Sequence, residues 1–447
     1  MSTRHSIARN LAAAFLTGTW SLDGLVQQGA RACGKRERWL RPLARCVLAA
    51  FPGPPAGIDP EALARWMEEN PVFRTAWAKY GREGRFPLGQ VFWVPPRMTP
   101  RTGAPATWRV PPLTTSGALA EWLGLKPKEL DWFADCHGGE EKLPPGPLRH
   151  YTYRWLVGRS RKLRLLEMPK QRLKALQRRV LHDLLDHLPC HEAAHGYRRG
   201  RSVATYVGPH TGRRIVLHLD LRDFFPSIRS SRVQALFRTV GYPFPVARLL
   251  TGLCTNVVPG EVWHSSPVRG EPGEWNRSPH YQVPHLPQGA PTSPALANLC
   301  AYRLDCRLTG LARAVGAAYT RYADDLAFSG GRDLERSTRG FQVQVARIAL
   351  EEGFEVHTRK TRFMRQGVRQ QLAGVVLNEH ANLRREEYDR LKAILFNCVR
   401  HGPGLQNREG RPDFRESLAG RIAYVQMLNP SRGRRLRELF DRIAWEK

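Results

Sequence analysis

Residues 319–328 read YTRYADDLAF. The apolar and aromatic residues on either side of Asp324 and Asp325 have the composition of two short strands. A regular strand sends successive side chains to opposite faces. Only a sharp turn, formed here by Ala323, Asp324 and Asp325, brings both carboxylates toward one place. The favoured two-residue hairpin turns use glycine, and this one has none. An ordinary Asp-containing turn is the plain alternative, but the apolar flanks leave the two charges in need of another reason.

A second acidic position supplies one. In RRIVLHLDLRDFFPSI (213–228), the run 215–219 predicts a buried strand with Asp220 at its end. A carboxylate there is costly without compensation. Taken alone it reads as a helix cap or an arginine partner. Taken with Asp324 and Asp325, it completes a set of carboxylates from separate segments. Two hard cations ~3.5–4 Å apart, clamping the attacking and leaving oxygens of a phosphoryl transfer, need such a set. Mg²⁺ suits it, being held by few carboxylates plus phosphates and water.

The charge balance agrees. The 447 residues carry 70 Lys+Arg against 40 Asp+Glu, a formal net charge of +30. That excess favours a polyanionic partner, nucleic acid first. A membrane surface ranks second, and no basic amphipathic helix with a clean apolar face supports it. No stretch approaches the ~18 apolar residues of a membrane span. The eight cysteines include no C-x-x-C pair, which suits neither a zinc site nor a disulfide framework. Reduced thiols and a cytoplasmic location are expected.

A third motif lies between the two acidic segments. In HLPQGAPTSPALANLCAYRLD (285–305), Gln288 and Gly289 precede a helix start marked by Thr292, Ser293 and Pro294. Gly289 permits close backbone approach, and Gln288 offers hydrogen bonds to a base or sugar. On its own this is a loop and a cap.

LDLRDFFPS, LPQGAPTSP and YADD, in this order and spacing, resemble the A, B and C motifs of reverse transcriptases. GRSRKLRLLEMPKQRLKALQRRVL (158–181) and AAHGYRRGRSV (193–203) are similar to the two fingers motifs. GFEVHTRKTRFM (353–364) is similar to motif D, and RQQLAGVVLN (369–378) to the strand before the thumb. The HGYRRGRS, DFFPS and PQGAPTSP versions, with the tail AYVQMLNP, resemble bacterial retron reverse transcriptases with a long N-terminal extension. Two retron features differ: SVATYVGPH lacks the Asn of the usual N-A-x-x-H, and Leu372-Ala373-Gly374 stands where V-T-G is usual. Both are associated with recognition of the retron's own RNA.

The resemblance implies an α+β right-hand polymerase with fingers, palm and thumb and an antiparallel palm sheet, preceded by a mainly helical extension. The expected bounds are 1–112 for the extension, 113–212 for fingers, 213–378 for palm with fingers-like insertions, and 379–447 for a helical thumb. It implies two Mg²⁺ ions, with Mn²⁺ as a substitute, on Asp220, Asp324 and Asp325. Asp220 and Asp324 would bridge both metals, with Asp325 the supporting ligand by its opposite strand parity. Lys360 matches the motif D lysine, a general acid for departing pyrophosphate. Phe225 stands at the steric gate against a ribose 2′-OH. Arg161, Lys162, Arg164 and Arg201 would bind the incoming triphosphate, and Gln288 and Gly289 would position template or nucleotide. The implied partners are deoxynucleoside triphosphates, a structured noncoding RNA serving as template and primer, its DNA product, and an effector protein, in antiphage defence. Other defence-associated or group II intron-like reverse transcriptases, and an idle RNA-binding protein on the same scaffold, are the alternatives.

The secondary-structure signals are strands at 214–221, 318–323, 326–329 and 372–377, and helices at 60–70, 170–188, 230–240, 293–315 and 337–352. Residues 116–135 read as two packed helices, a pattern that also fits a helix-turn-helix. The run 256–286 reads as a surface loop.

Overall fold

The computed structural model describes residues 3–52, 58–81, 86, 89–92, 97–100, 108–157, 163–265 and 279–445. The chain divides into two compact units, Met1–Leu143 with Val233–Leu253, and Pro144–Arg232 with Cys254–Lys447.

The first unit is helical among its described residues. It contains α1 (Arg4–Thr17), α2 (Leu22–Cys33), α3 (Leu40–Ala50), α4 (Pro60–Glu69), α5 (Pro71–Tyr80), α6 (Ser116–Leu123) and α7 (Pro127–Ala134). Each of the first helices begins or ends at a residue suited to the job. Thr3 and Ser21 accept N–H groups of the first turns of α1 and α2, and Gly34 ends α2 in the left-handed region at φ 73°. Phe15, Leu25, Leu40, Leu43, Leu63, Met67 and Phe73 form a core of their own. Trp39 meets Phe73 and Phe86 edge-on at 6.3 and 5.7 Å.

The second unit opens with the antiparallel hairpin β1 (Tyr151–Val157) and β2 (Leu163–Pro169), followed by α8 (Gln171–Asp183) and the short α9 (Val203–Val207). Its central strand is β3 (Ile215–Arg222). The chain then runs through α10 (Ser230–Val240) and α11 (Phe244–Cys254), much of which belongs to the first unit, and returns through α12 (Gly260–His264). Next come α13 (Ser293–Cys300), α14 (Tyr302–Ala314), β4 (Ala318–Tyr322), β5 (Asp325–Gly330) and α15 (Arg332–Glu351). After them follow β6 (Glu355–Val356), β7 (Arg362–Arg365) and a small hairpin, β8 (Gln371–Leu372) with β9 (Val375–Val376). The last helices are α16 (Arg385–His401), α17 (Phe414–Leu428) and α18 (Pro430–Asp441), packed on Leu391, Leu395, Leu418, Ile422, Leu436 and Phe440.

The main sheet has the order β4-β5-β3-β6, and β7 also pairs with β3; every pairing is antiparallel. β3 is buried on both faces, which explains its nearly unbroken apolar run. On one face, Phe328 stacks on Tyr319 and meets Phe341 of α15 edge-on at 5.1 Å. On the other, Val216 and Ala327 pack with Tyr206 and Val207 of α9, Met364, Leu372, Val375 and Leu428. The α+β class and the antiparallel sheet expected from the sequence are both present. No helix among the described residues is long and apolar enough to cross a membrane. All eight cysteines are free.

Several local readings change. The helix expected over 293–315 breaks at Ala301, where α13 ends and α14 begins. The strand expected over 372–377 is a tight hairpin turning at Ala373 (φ 45°) and Gly374 (φ 84°). Within the loop reading of 256–286 lies α12. The hairpin of β1 and β2 carried no alternation strong enough to be read from sequence.

Candidate active site

β3 and β5 run side by side with Asp220 directly opposite Asp325, and His218 opposite Ala327. Side chains directly opposite in an antiparallel pair share a face. Asp220, His218 and Asp325 therefore stand on one face at the end of the sheet. The turn between β4 and β5 is only two residues, Ala323 and Asp324, closed by the Tyr322–Asp325 pair. Ala323 takes φ 56°, where L-residues other than Gly are strained. The expectation for Asp325 is thereby corrected. It lies in strand β5 rather than in the turn, directly across from Asp220.

Backbone hydrogen bonds pin the three segments together. The Leu221 N–H donates to the Asp324 carbonyl at 2.9 Å, and the His357 N–H donates to the Asp220 carbonyl at 2.7 Å. The second bond brings in the one-turn helix Thr358–Lys360, whose Lys360 Nζ forms an ion pair with Asp220 Oδ1. His218 Nε2 lies 2.8 Å from Asp325 Oδ1, a contact made only by the strand register. Asp324 has no salt bridge among the described residues. Burial, then the charges of Asp325 and Asp220, push its carboxyl up to about 6, and Lys360 and its own backbone N–H offset only part of this.

The residues present fit a hard divalent cation in donor chemistry, because carboxylates from two strands and a turn stand close enough for Asp324 to feel both others. They do not form a finished cage. Among the described residues no group of three His, Cys, Asp or Glu side chains is arranged to hold a metal. Lys360 and His218 occupy two of the carboxylates, so a cation would exchange with those partners.

The remaining expected residues fall at varied distances from this cluster. Phe225 is half-buried, with its ring 6.2 Å from that of Tyr197 and 5.6 Å from that of Phe224. Tyr197, exposed and also at positive φ (56°), has its ring 6.3 Å from that of Tyr322, and nothing in the sequence marks it out. Burial, then the charge of Asp324, pushes the Tyr197 hydroxyl pKa up, and Arg164 offsets part of this. Arg164 is exposed on β2, and Arg201 is exposed in the loop before α9. Arg161 and Lys162 lie outside the described residues.

Gln288 and Gly289 pack on β2. The Glu167 N–H donates to the Gln288 carbonyl at 2.9 Å. A Cβ on Gly289 (φ 139°) would stand 2.8 Å from the Glu167 carbonyl oxygen. The close approach that Gly289 allows is thus to a strand. Beneath it, the fully buried Glu167 carboxylate meets His285 Nε2 at 3.1 Å and accepts from Asn256 Nδ2 at 2.7 Å. His285 Nδ1 faces the Val283 carbonyl at 2.8 Å. Both ring nitrogens face acceptors. Burial by itself would lower the His285 pKa, but Glu167 and these hydrogen bonds raise it above the ordinary value.

Residues 158–384 match the reverse transcriptase (RNA-dependent DNA polymerase) family. The chain belongs to that family and is an RNA-directed DNA polymerase. It is 45% identical over 335 residues to the retron Mx65 reverse transcriptase of Myxococcus xanthus, covering 74% of this chain and 72% of that protein. It is 37% identical over 336 residues to the retron Mx162 reverse transcriptase of the same organism, covering 72% and 65%. It is 30% identical over 282 residues to the retron Ec86 reverse transcriptase of Escherichia coli, covering 62% and 76%. Within the family, the chain is a bacterial retron-type reverse transcriptase.

Proposed function

We propose that this chain binds a structured noncoding RNA and reverse transcribes part of it into DNA, giving a branched RNA–DNA product, in antiphage defence in the cytoplasm. The observation that carries the catalytic part is the placement of Asp220 and Asp325 on one face beside the turn carboxylate of Asp324. Three crowded anions in a chain of net charge +30 favour cations, and through them phosphates. In this reading Asp220, Asp324 and Asp325 hold two Mg²⁺ ions, or Mn²⁺ in their place. When bound, such ions neutralise charge on the transferring phosphoryl group and lower the pKa of the attacking hydroxyl. The protein's own groups do the rest. Lys360, released from Asp220, gives its proton to the departing pyrophosphate. Phe225 excludes a ribose 2′-OH, while Arg161, Lys162, Arg164 and Arg201 bind the triphosphate, with Gln288 and Gly289 beside the template or nucleotide.

The relatives' retron names support the cognate-RNA reading. So do the basic C-terminal helices α16–α18, which suit an A-form duplex held by its phosphates and 2′-hydroxyls. In this assignment residues 1–112 are an N-terminal extension, 113–212 the fingers, 213–378 the palm and 379–447 the thumb. The test is to express the chain with its flanking locus and isolate its nucleic acid. A short DNA that shrinks on ribonuclease treatment, yet stays joined to RNA under denaturing conditions, is expected. Absence of any such DNA, from a chain that still copies an exogenous RNA, would overturn the retron product while leaving the polymerase standing.

A further inference from the structure

Among the described residues the largest fully buried side chain is Arg321, in β4 one residue before the strand's end. A buried charge is expensive, and a hydrophobic residue would fill the same space at least as well. Its contacts indicate what the guanidinium does there. Nε and Nη2 donate to Asp305 Oδ1 and Oδ2 at 2.8 and 2.7 Å, a fork-on-fork pair with a carboxylate that is itself fully buried on α14. Asp305 Oδ1 also accepts from the Tyr319 hydroxyl at 2.8 Å. That leaves Nη1, which donates to Asn298 Oδ1 of α13 at 3.0 Å and to the Ala323 carbonyl at 3.1 Å.

That last bond reaches the strained turn itself. The Ala323 carbonyl belongs to the peptide that leads into Asp324, and Ala323 is the residue at φ 56°. The surroundings close on it from another side. Asn298 Nδ2 donates to the Gly196 carbonyl at 2.8 Å. A Cβ on Gly196 would stand 2.8 Å from the Ala323 nitrogen. The 193–196 segment also pairs with the Arg321 backbone: its N–H donates to the Ala193 carbonyl at 2.7 Å, and its carbonyl accepts from the His195 N–H at 2.8 Å.

We propose that Arg321 is a positioning residue for the acidic turn: anchored on Asp305, it holds the Ala323 carbonyl and so fixes the peptide that carries Asp324 beside Asp220. The proposal rests on the reading of Asp324 as a metal ligand. Arginine, and not lysine, is required, because a single ammonium cannot span Asp305, Asn298 and the turn carbonyl together.

Two variants test it. Arg321→Met with Asp305→Leu removes the charge pair as a unit, leaving no orphaned buried ion. Arg321→Lys keeps the charge and loses the fork. Each is measured for Tm, for Mn²⁺ binding by electron paramagnetic resonance of the free ion, and for kcat and KM on an RNA template with a DNA primer. Folded variants are expected to bind Mn²⁺ roughly tenfold more weakly and to lose kcat on the order of 100-fold, with KM for template-primer unchanged. Adding Ala323→Gly, which tolerates positive φ without the clamp, is expected to recover part of both losses. A purely structural role would not respond to that turn substitution. A folded variant with wild-type Mn²⁺ affinity and kcat would overturn the proposal. So would failure of both variants to fold, which would make Arg321 a core residue and no more. If instead Asp324→Asn leaves polymerisation and Mn²⁺ binding intact, the reading of Asp324 fails, whatever Arg321 does.

Discussion

Asp324→Asn should abolish polymerisation and, without metal, make the protein more stable. The Asp324 carboxyl is pushed from an ordinary 3.8 up to about 6 by burial and by Asp325 and Asp220. At about 1.4 kcal/mol per pH unit, that gap corresponds to about 3 kcal/mol. The sign follows from linkage. A carboxyl whose folded pKa is raised favours the fold below the unfolded pKa of about 4, and that advantage is lost as pH rises through about 6. Above pH 6 the ionised Asp324 therefore costs the metal-free fold up to about 3 kcal/mol, and an amide does not bear this cost. The assay is thermal unfolding of wild type and variant in chelator from pH 4 to 8. The variant should melt several degrees higher at pH 7.5, with the difference vanishing near pH 4. Added Mg²⁺ should then raise the Tm of wild type and not of the variant, because only a folded chain that binds the ion gains by mass action. A variant less stable than wild type at pH 7.5 in chelator would refute the reasoning, as would a difference independent of pH.

Three further outcomes follow from particular contacts. Glu167→Gln leaves His285 facing an uncharged partner in a fully buried site, and should lower stability by about 3 kcal/mol, read as a fall in Tm. Because the wild-type His285 pKa is raised, the stabilising pair is present below about pH 6.5 and fades above the folded pKa, so the variant's deficit should be largest at acid pH. Gly289→Ala places a methyl 2.8 Å from the Glu167 carbonyl at φ 139°; a loss of about 2 kcal/mol is expected in denaturant unfolding, together with a raised KM for nucleotide. Phe225→Ala opens the space before the half-buried ring, and the preference for deoxynucleotides over ribonucleotides should fall by roughly tenfold or more in single-nucleotide incorporation.

The chemistry of the site was written in short, unusual stretches. β3, β4 and β5 were visible because an apolar run ends at Asp220 and another is broken by Asp324 and Asp325. The ordering of those motifs, with Lys360 beyond them, was enough to place the fold. What sequence could not give was register. A carboxylate pair offers no way to count where the strand restarts, so sequence alone puts Asp325 in the turn; the Asp220–Asp325 pairing is a long-range fact. Arg321 is inconspicuous for the same kind of reason. One arginine among so many looks solvated, and only the fold brings Asp305, Asn298 and the Ala323 carbonyl around it. His218 and the Glu167–His285 pair are likewise made by contacts between segments distant in sequence. The break at Ala301 is hidden because no Gly or Pro stands beside it.

Extension of a DNA primer on an RNA template by the 447-residue chain in Mg²⁺, wild type against Asp220→Asn, is the most direct measurement of the central claim. The asparagine keeps the shape of a residue held in register with Asp325 and removes only its charge. Template-primer binding is followed in parallel by fluorescence anisotropy. The account predicts extension by wild type, loss of extension by several orders of magnitude in the variant, and binding within a few-fold of wild type. Extension by the variant at the wild-type rate would contradict it.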